Sequence, residues 1–367
     1  MSRRASEAPR TGPDTVDVLQ VITSTDRRGA EVFATDLERA LTDRGRSVRT
    51  VALVRGRQEG GLDVPTLGTS RLGIATLRAL RAEARHAGLV VAHGSTTLPA
   101  CALATTGTRT PFVYRNVGDP AHWGTTPARR LRSVAFLRRT SAVVALTAAT
   151  AGELNARYRV SPEKIRVIPK GVPTERFTPA TAEARRRARA HFELLAEAPV
   201  ALYLGALSPE KNVRLAIEAV ASIPGLHLLV VGDGPERSAA EAEASRVAPD
   251  RVHVAGPTDQ PELALAAADV VVLTSHTEGL PGALIEAGLC GLPVVTTDVG
   301  FVREIVADTM TGYVVPPGDR AGFADALERA LRAPSALGSA ARRRCLERFS
   351  IDRVADAWDD LISAMLQ

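Results

Sequence analysis

The sequence is short of cysteine, very short of lysine and has no long apolar run, and each shortage removes a class of protein. Cys101, Cys290 and Cys345 are too few and too scattered for a disulfide framework, which points to a reducing compartment. No stretch approaches the roughly 18 consecutive apolar residues that a membrane span requires. The opening MSRRASEAPRTGPDT has arginines but no apolar segment behind them, so residues 1–14 read as a disordered tail rather than a secretory signal. A cytoplasmic location follows, at most peripheral to the inner face of the cell membrane. Familiar catalytic motifs are missing too. The first apolar run leads into Thr23–Gly29 without G-x-G-x-x-G, and no lysine follows a glycine as in a Walker A loop. H-E-x-x-H, C-x-x-C and G-x-S-x-G are all missing. Dinucleotide dehydrogenases, P-loop enzymes and zinc hydrolases lose their main support.

What is present is a chain of 367 residues, 45% hydrophobic and 24% charged, long enough for two cores. Its net charge of +5 favours an anionic ligand or surface without naming one. Of its 46 basic residues only Lys164, Lys170 and Lys211 are lysine, as expected of GC-rich codon usage. A lysine that survives such a bias marks a position with a local requirement.

Short β-branched runs alternate with helical patterns along the whole chain. Six fall in the first half, at residues 16–22, 48–54, 89–92, 112–114, 142–146 and 165–168; six more lie at 200–204, 226–231, 252–254, 270–273, 294–296 and 312–315. Most are continuously apolar, as in strands covered on both faces, and strand–helix alternation means a parallel sheet. The expectation is an α/β chain of two doubly wound lobes. The first spans 15–180, a linker helix 181–198, and the second 199–349. An amphipathic helix over 350–367 bears Trp358. Ligands of open α/β sheets bind beyond the carboxyl ends of the strands, so the loops there are the ones to read.

The most informative loop is TSHTEGLPGALIEAGLCG, residues 274–291. A strand ends near Leu273, a helix starts near Pro281, and Gly279 and Gly282 let backbone approach a ligand. The amides of such a first turn form an anion site. Glu278 and Glu286 add two acceptors, which suits a ligand anionic at one end and rich in hydroxyls, such as a nucleotide sugar. The plain alternative is a strand–turn–helix with solvated glutamates. A second loop, Leu204–Asn212, places Gly205 after a strand and Lys211 at a helix start, where a cation opposes the helix dipole unless an anion lies above it.

With these segments in view, the chain resembles retaining glycosyltransferases of the GT-B fold, specifically glycosyltransferase family 4. The likeness covers nearly the whole chain: Gly29-Ala-Glu31, IRVIPKGVPTERFTP (165–179), GALSPEKN, VVGDGPE with Gly232, VHVAGPT (252–258), the Glu-x7-Glu segment, GLPVVTTDVGFVREIV and TGYVVPPGD, in order. The resemblance implies two Rossmann-like lobes facing across a cleft, with the last helix crossing back to the first lobe. It also implies a nucleotide sugar held by the C-terminal lobe and a hydroxyl acceptor held by the N-terminal lobe. Lys211 would then contact the diphosphate, assisted by amides of Gly29 and of Leu280–Pro281–Gly282. Glu286 would hold the ribose, Glu278 a sugar hydroxyl, and Val254 would lie against the base. Lys211 and Glu278 become the residues tied to catalysis. Configuration would be retained without a metal or cofactor, the leaving phosphate taking the acceptor's proton. Negative charge grows on that phosphate, and fixed cations and N–H dipoles are the largest lever on it.

The chain departs from the family's pattern at Ala206, where Arg is frequent. Lys170 (IPKG where IPNG is commoner) and Arg28 are candidate replacements. The first lobe lacks the His commonly found near positions 116 and 117. Arg115, Asn116, Asp119, His122 and Trp123 form a polar and aromatic loop set, and with His93, placed in the cleft, they make up the expected acceptor side. The basic segment 127–139 could rest on an anionic membrane, although an apolar stripe packed inward is the simpler expectation. No arginine cluster is interleaved with aromatics, so nucleic acid is not an expected partner. Competing functional readings are a catalytically impaired partner subunit, favoured by Ala206, and a nucleotide-sugar epimerase. The donor's base and sugar, the acceptor and the oligomeric state are not encoded legibly.

Overall fold

The computed structural model describes residues 15–57, 60–118, 120 and 126–367, so the expected tail at 1–14 lies outside the described residues. The chain divides into two compact units, residues 1–168 with 355–367, and residues 169–354. In the first, β1 (Val16–Ser24), α1 (Gly29–Thr42), β2 (Val48–Val54), β3 (Thr66–Gly68), α2 (Ile74–Arg85), β4 (Ala87–His93) and α3 (Leu98–Ala104) lead to β5 (Phe112–Arg115), α4 (Pro127–Arg138), β6 (Ala142–Ala145), α5 (Ala148–Tyr158) and β7 (Ile165–Val167). Among the described residues these strands form one parallel sheet in the order β3-β2-β1-β4-β5-β6-β7. The three-residue β3 was not expected, since TLG is too short to show a pattern of its own.

The second unit contains α6 (Ala182–His191), β8 (Val200–Leu204), α7 (Val213–Ala221), β9 (His227–Val231), α8 (Arg237–Val247), β10 (Val252–Gly256), α9 (Pro261–Ala267) and β11 (Val270–Leu273). It continues with α10 (Gly282–Leu289), β12 (Val294–Thr297), α11 (Val302–Ile305), β13 (Gly312–Val315), α12 (Arg320–Arg332), α13 (Pro334–Phe349) and the start of α14 (Ile351–Leu366). Its parallel sheet runs β10-β9-β8-β11-β12-β13. In both sheets the order reverses beside the first strand of the unit. These are Rossmann-like doubly wound domains, and each reversal opens a crevice at the carboxyl ends of two adjacent strands.

Continuous apolar runs make these sheets because each is covered on both faces: Val18, Leu19, Val21 and Ile22 of β1 are all at most 1% exposed. The expected linker helix α6 belongs to the second unit. Arg189 on it is buried and donates from Nε to the Ala267 carbonyl at 3.1 Å and from Nη2 to Asp269 at 2.9 Å, which fastens the helix beside α9. Helix α14 is divided at residue 354. Its Ala355, Trp358, Leu361 and Ile362 are buried at helical spacing, while Asp356 and Asp359 on the other side pair with Arg44 and Arg46 of the first unit.

Candidate functional site

In the second unit the sheet reverses between β8 and β11, and the loops after those two strands carry the residues singled out above. Lys211 is not inside a helix. It closes a single 3-10 turn, Pro209–Lys211, and Asn212 at φ +49° interrupts the chain before α7 begins. From there Nζ of Lys211 donates to Oε1 of Glu278 at 2.6 Å, and the Ser275 hydroxyl donates to the same oxygen at 2.7 Å. The Glu278 side chain is only 7% exposed, so its charge depends on these two partners.

Backbone ties keep the two loops in register. The His276 amide donates to the Glu210 carbonyl at 2.8 Å, and the Thr274 hydroxyl to the Asn212 carbonyl at 2.9 Å. On the far side the Thr297 hydroxyl reaches the Ser275 carbonyl at 2.6 Å. Gly300, at φ +54°, passes so close to the Glu278 carbonyl that a Cβ there would stand 2.0 Å from it.

Helix α10 starts at Gly282 with Pro281 as its N-cap, and no side chain caps its amides. The Lys170 ammonium lies over this turn: a Cβ on Gly282 would be 2.1 Å from its Nζ, and Glu286 Oε1 is 3.9 Å away. A cation resting on a helix N-terminus is electrostatically unfavourable by itself, and an anion held by both would reverse the sign. The two loops, the start of α10 and the segment after β7 that carries Lys170 therefore present two lysines, two carboxylates and the uncapped first turn of a helix.

The glycines here have unlike reasons. A Cβ on Gly232 (φ +154°) would stand 1.8 Å from the Gly205 carbonyl oxygen, so backbone packing alone requires glycine there. A Cβ on Gly205 would meet nothing within 4 Å. Ala206 is exposed, and Val254 is half-buried on the edge strand β10.

The first unit treats its strand ends differently. His93, expected in open space, is the last residue of β4 and 2% exposed, because β4 runs one residue further than its apolar run suggests. Its Nε2 meets Oε1 of Gln20 at 2.9 Å, and its ring stacks on Trp358 with centroids 6.4 Å apart. Gln20 spends its amide protons on Ala34 and Thr50, so Nε2 of His93 carries the proton and Nδ1 is left as an acceptor. Arg115 is not in a loop either. It ends β5, is 1% exposed, and lies 3.8 Å over the Phe33 ring. Burial, first, and the Arg115 charge, second, hold the His93 pKa well below its usual value. Burial lowers Arg115 itself to about 9 and raises Glu31 nearby. Asn116 is buried too, donating to the Gly118 carbonyl at 2.7 Å. Gly29 opens α1, whose N-cap Arg28 is exposed beside Asp26. Asp119, His122 and Trp123 lie outside the described residues.

Sequence reading missed a polar pocket of about 600 Å³ after β1 and β2, lined by Thr25, Arg55, Arg57 and Asp63 among others. The signal was the glycine- and arginine-rich RGRQEGG directly after the run at 48–54.

Residues 27–176 match the family model described as Glycosyltransferase Family 4, and residues 185–347 the one described as Glycosyl transferases group 1. The chain is 33% identical over 243 residues to a D-inositol 3-phosphate glycosyltransferase of Xylanimonas cellulosilytica, covering 62% of this chain and 56% of that protein. It is also 33% identical over 207 residues to a 2-deoxystreptamine glucosyltransferase of Streptomyces kanamyceticus, covering 54% and 53%. The matched stretch thus spans little more than half the length of these curated relatives. Among solved structures, Anabaena HepE, crystallised with UDP and with UDP-glucose, superposes with a TM-score of 0.83 at 21% identity, covering 95% of this chain and all of that one. Sucrose-phosphate synthase of Thermosynechococcus elongatus gives 0.79 at 22% identity, covering 95% and 98%.

Proposed function

We infer that this chain, which belongs to glycosyltransferase family 4, moves a sugar from a nucleoside-diphosphate sugar to a hydroxyl acceptor. The observation that carries the reading is the Lys211–Glu278 contact at the reversal of the second sheet, beside the uncapped turn of α10. The bond that breaks joins sugar C1 to a phosphate oxygen, and charge builds on the diphosphate. Lys211, Lys170 and the α10 amides are the groups that would stabilise it, worth roughly 1.5–3 kcal/mol for each charged hydrogen bond. Binding exchanges partners: the diphosphate takes Lys211, which releases Glu278 to accept from a sugar hydroxyl, while Glu286 serves the ribose. The acceptor attacks on the face the diphosphate leaves and passes its proton to that diphosphate, so configuration is retained and no metal is called upon. Lys170, which lies over the first turn of α10 in the same unit as Lys211, is the candidate replacement for the arginine frequent at position 206.

The HepE complexes make the uridine series the first to test, and the curated relatives make D-inositol 3-phosphate and 2-deoxystreptamine the first acceptors. A thermal-shift screen of nucleoside diphosphates and their sugars, without metal, checks the donor assignment. At 100 times its dissociation constant a ligand stabilises by about 2.7 kcal/mol. One series should stabilise wild type, and Lys211→Ala much less, each measured against its own ligand-free protein. Lack of response to every nucleotide would defeat the reading. Binding without release of nucleoside diphosphate in the presence of acceptor would favour an impaired partner subunit, the reading that exposed Ala206 supports.

A further inference from the structure

Three neighbouring strands of the second unit all end on glycine. Gly205 follows β8, Gly232 follows β9 and Gly256 closes β10. The Gly205 amide donates to the Val231 carbonyl at 3.0 Å and the Gly232 amide to the Gly256 carbonyl at 2.9 Å, which ties the three ends together. With strands about 4.8 Å apart, they form a shelf bare of side chains that runs about 10 Å from the loop of Lys211 to the edge of the sheet. The opposite direction is closed, because Gly300 packs backbone to backbone on the Glu278 carbonyl. At the far end of the shelf Arg237, the first residue of α8, reaches over Gly256: a Cβ there would stand 3.2 Å from its Nη1 and 3.7 Å from its Nη2. Nε of Arg237 is spent on Glu241 at 2.9 Å. Nη1 is 3.9 Å from Asp233, and among the described residues neither terminal amine finds a hydrogen-bond acceptor. A fork of unspent donors thus overhangs the end of the shelf.

We propose that Arg237 selects the base of the donor nucleotide, its terminal amines donating to the carbonyl oxygen of a keto base. The inference rests on the donor reading above: with the diphosphate on Lys211 and the first turn of α10, the glycine row is the course left open to the nucleoside. Arginine carries donors only. It therefore answers O4 of uracil or O6 of guanine, and not the amino group that cytosine or adenine bears at the corresponding position. Helix stability does not account for the residue. At the head of α8 its charge opposes the helix dipole, and its pair with Glu241 runs in the less favourable order, cation before carboxylate.

Calorimetric titration of the full chain tests it, setting each keto nucleotide against its amino counterpart, UDP with CDP and GDP with ADP, and using pyrophosphate as the ligand without a base. In the pair that binds more tightly, wild type should prefer the keto member about ten-fold. Arg237→Ala should erase that preference and leave pyrophosphate affinity unchanged, while Arg237→Lys, still a donor, should keep part of it. Lys211→Ala should weaken nucleotides and pyrophosphate together and leave the keto-to-amino ratio as it was. Thermal melting shows that the variants fold. An amino nucleotide bound as tightly as its keto counterpart, or a preference that survives in folded Arg237→Ala, would overturn the proposal. So would an equal loss of pyrophosphate affinity in Arg237→Ala, because the residue would then act as a general cation near the phosphates. Failure of every ligand to bind would defeat the donor reading itself, and this proposal with it.

Discussion

The two units share a strand order and place their polar strand-end residues in opposite ways. In the first, His93 and Arg115 end β4 and β5 and are sunk in the core against Gln20, Phe33 and Trp358. In the second, Lys211, Glu278 and Lys170 sit on segments beyond the strands and Glu286 on the first turns of α10, paired as Lys211 with Glu278 and Lys170 with Glu286. A charge beyond the strand end can exchange its partner for a ligand at modest cost, whereas one inside the sheet cannot be freed without opening the core. The second unit's residues thus have the properties of an exchangeable site, and the first unit's those of structural polar groups.

The largest effect that would sharpen this contrast is expected from Trp358→Ala. Removing a fully buried Trp from the first unit should cost roughly 3–5 kcal/mol in urea unfolding, while the protein that remains folded keeps its nucleotide affinity. An equal loss of nucleotide affinity in the folded fraction would break the contrast. Next comes the pair of glycines within the second unit. Gly232→Ala forces a Cβ onto the Gly205 carbonyl and should lose roughly 1–3 kcal/mol of stability. Gly205→Ala meets no protein atom and should stay within about 0.5 kcal/mol in stability, yet weaken nucleotide binding in calorimetry. Should Gly205→Ala bind nucleotide as wild type does, that loop does not approach the ligand.

The smallest effect is one of pH. Because His93 is held neutral in the folded state, the unfolded chain binds the extra proton once pH falls below about 6.5. Stability is fully present above that value and declines below it. Between pH 7.5 and 5.5 wild type should lose roughly 1 kcal/mol more than His93→Gln, read from urea midpoints. Glu31 acts in the opposite sense, since burial raises its pKa above the unfolded value of 4.5 and its penalty fades as pH falls and it is protonated. A pH response unchanged in His93→Gln would show that the ring is not held as described.

The same contrast explains what the sequence disclosed. Strands buried on both faces announce themselves as continuous apolar runs, so the β–α alternation was legible throughout, and only the three-residue β3 was too short to read. Loops rich in Gly, Pro and Glu between such runs pointed to Lys211, Glu278 and Glu286 by residue type and position. His93 and Arg115 were read as loop residues because a polar side chain after an apolar run normally marks a strand's end. Nothing local in the sequence shows that Gln20, over 70 residues earlier, and Trp358, over 240 later, close around them. The inward stripe expected of α4 is met in part: Val134 packs against the first unit's core while Leu131 is 72% exposed, because helical spacing shows that apolar residues share a face, not how far along it another element reaches.

The split membership of α14 has a consequence in the order of synthesis. The first unit is begun at residue 15, but its fully buried Trp358 emerges only after the whole of residues 169–354 has been made. At typical translation rates of about 5–20 residues per second, those 186 residues take roughly 10–40 s. For that interval His93 lacks the indole that stacks on it, and the second unit, an uninterrupted stretch of chain, has all its residues before the first does. The part of the protein begun first is the part finished last.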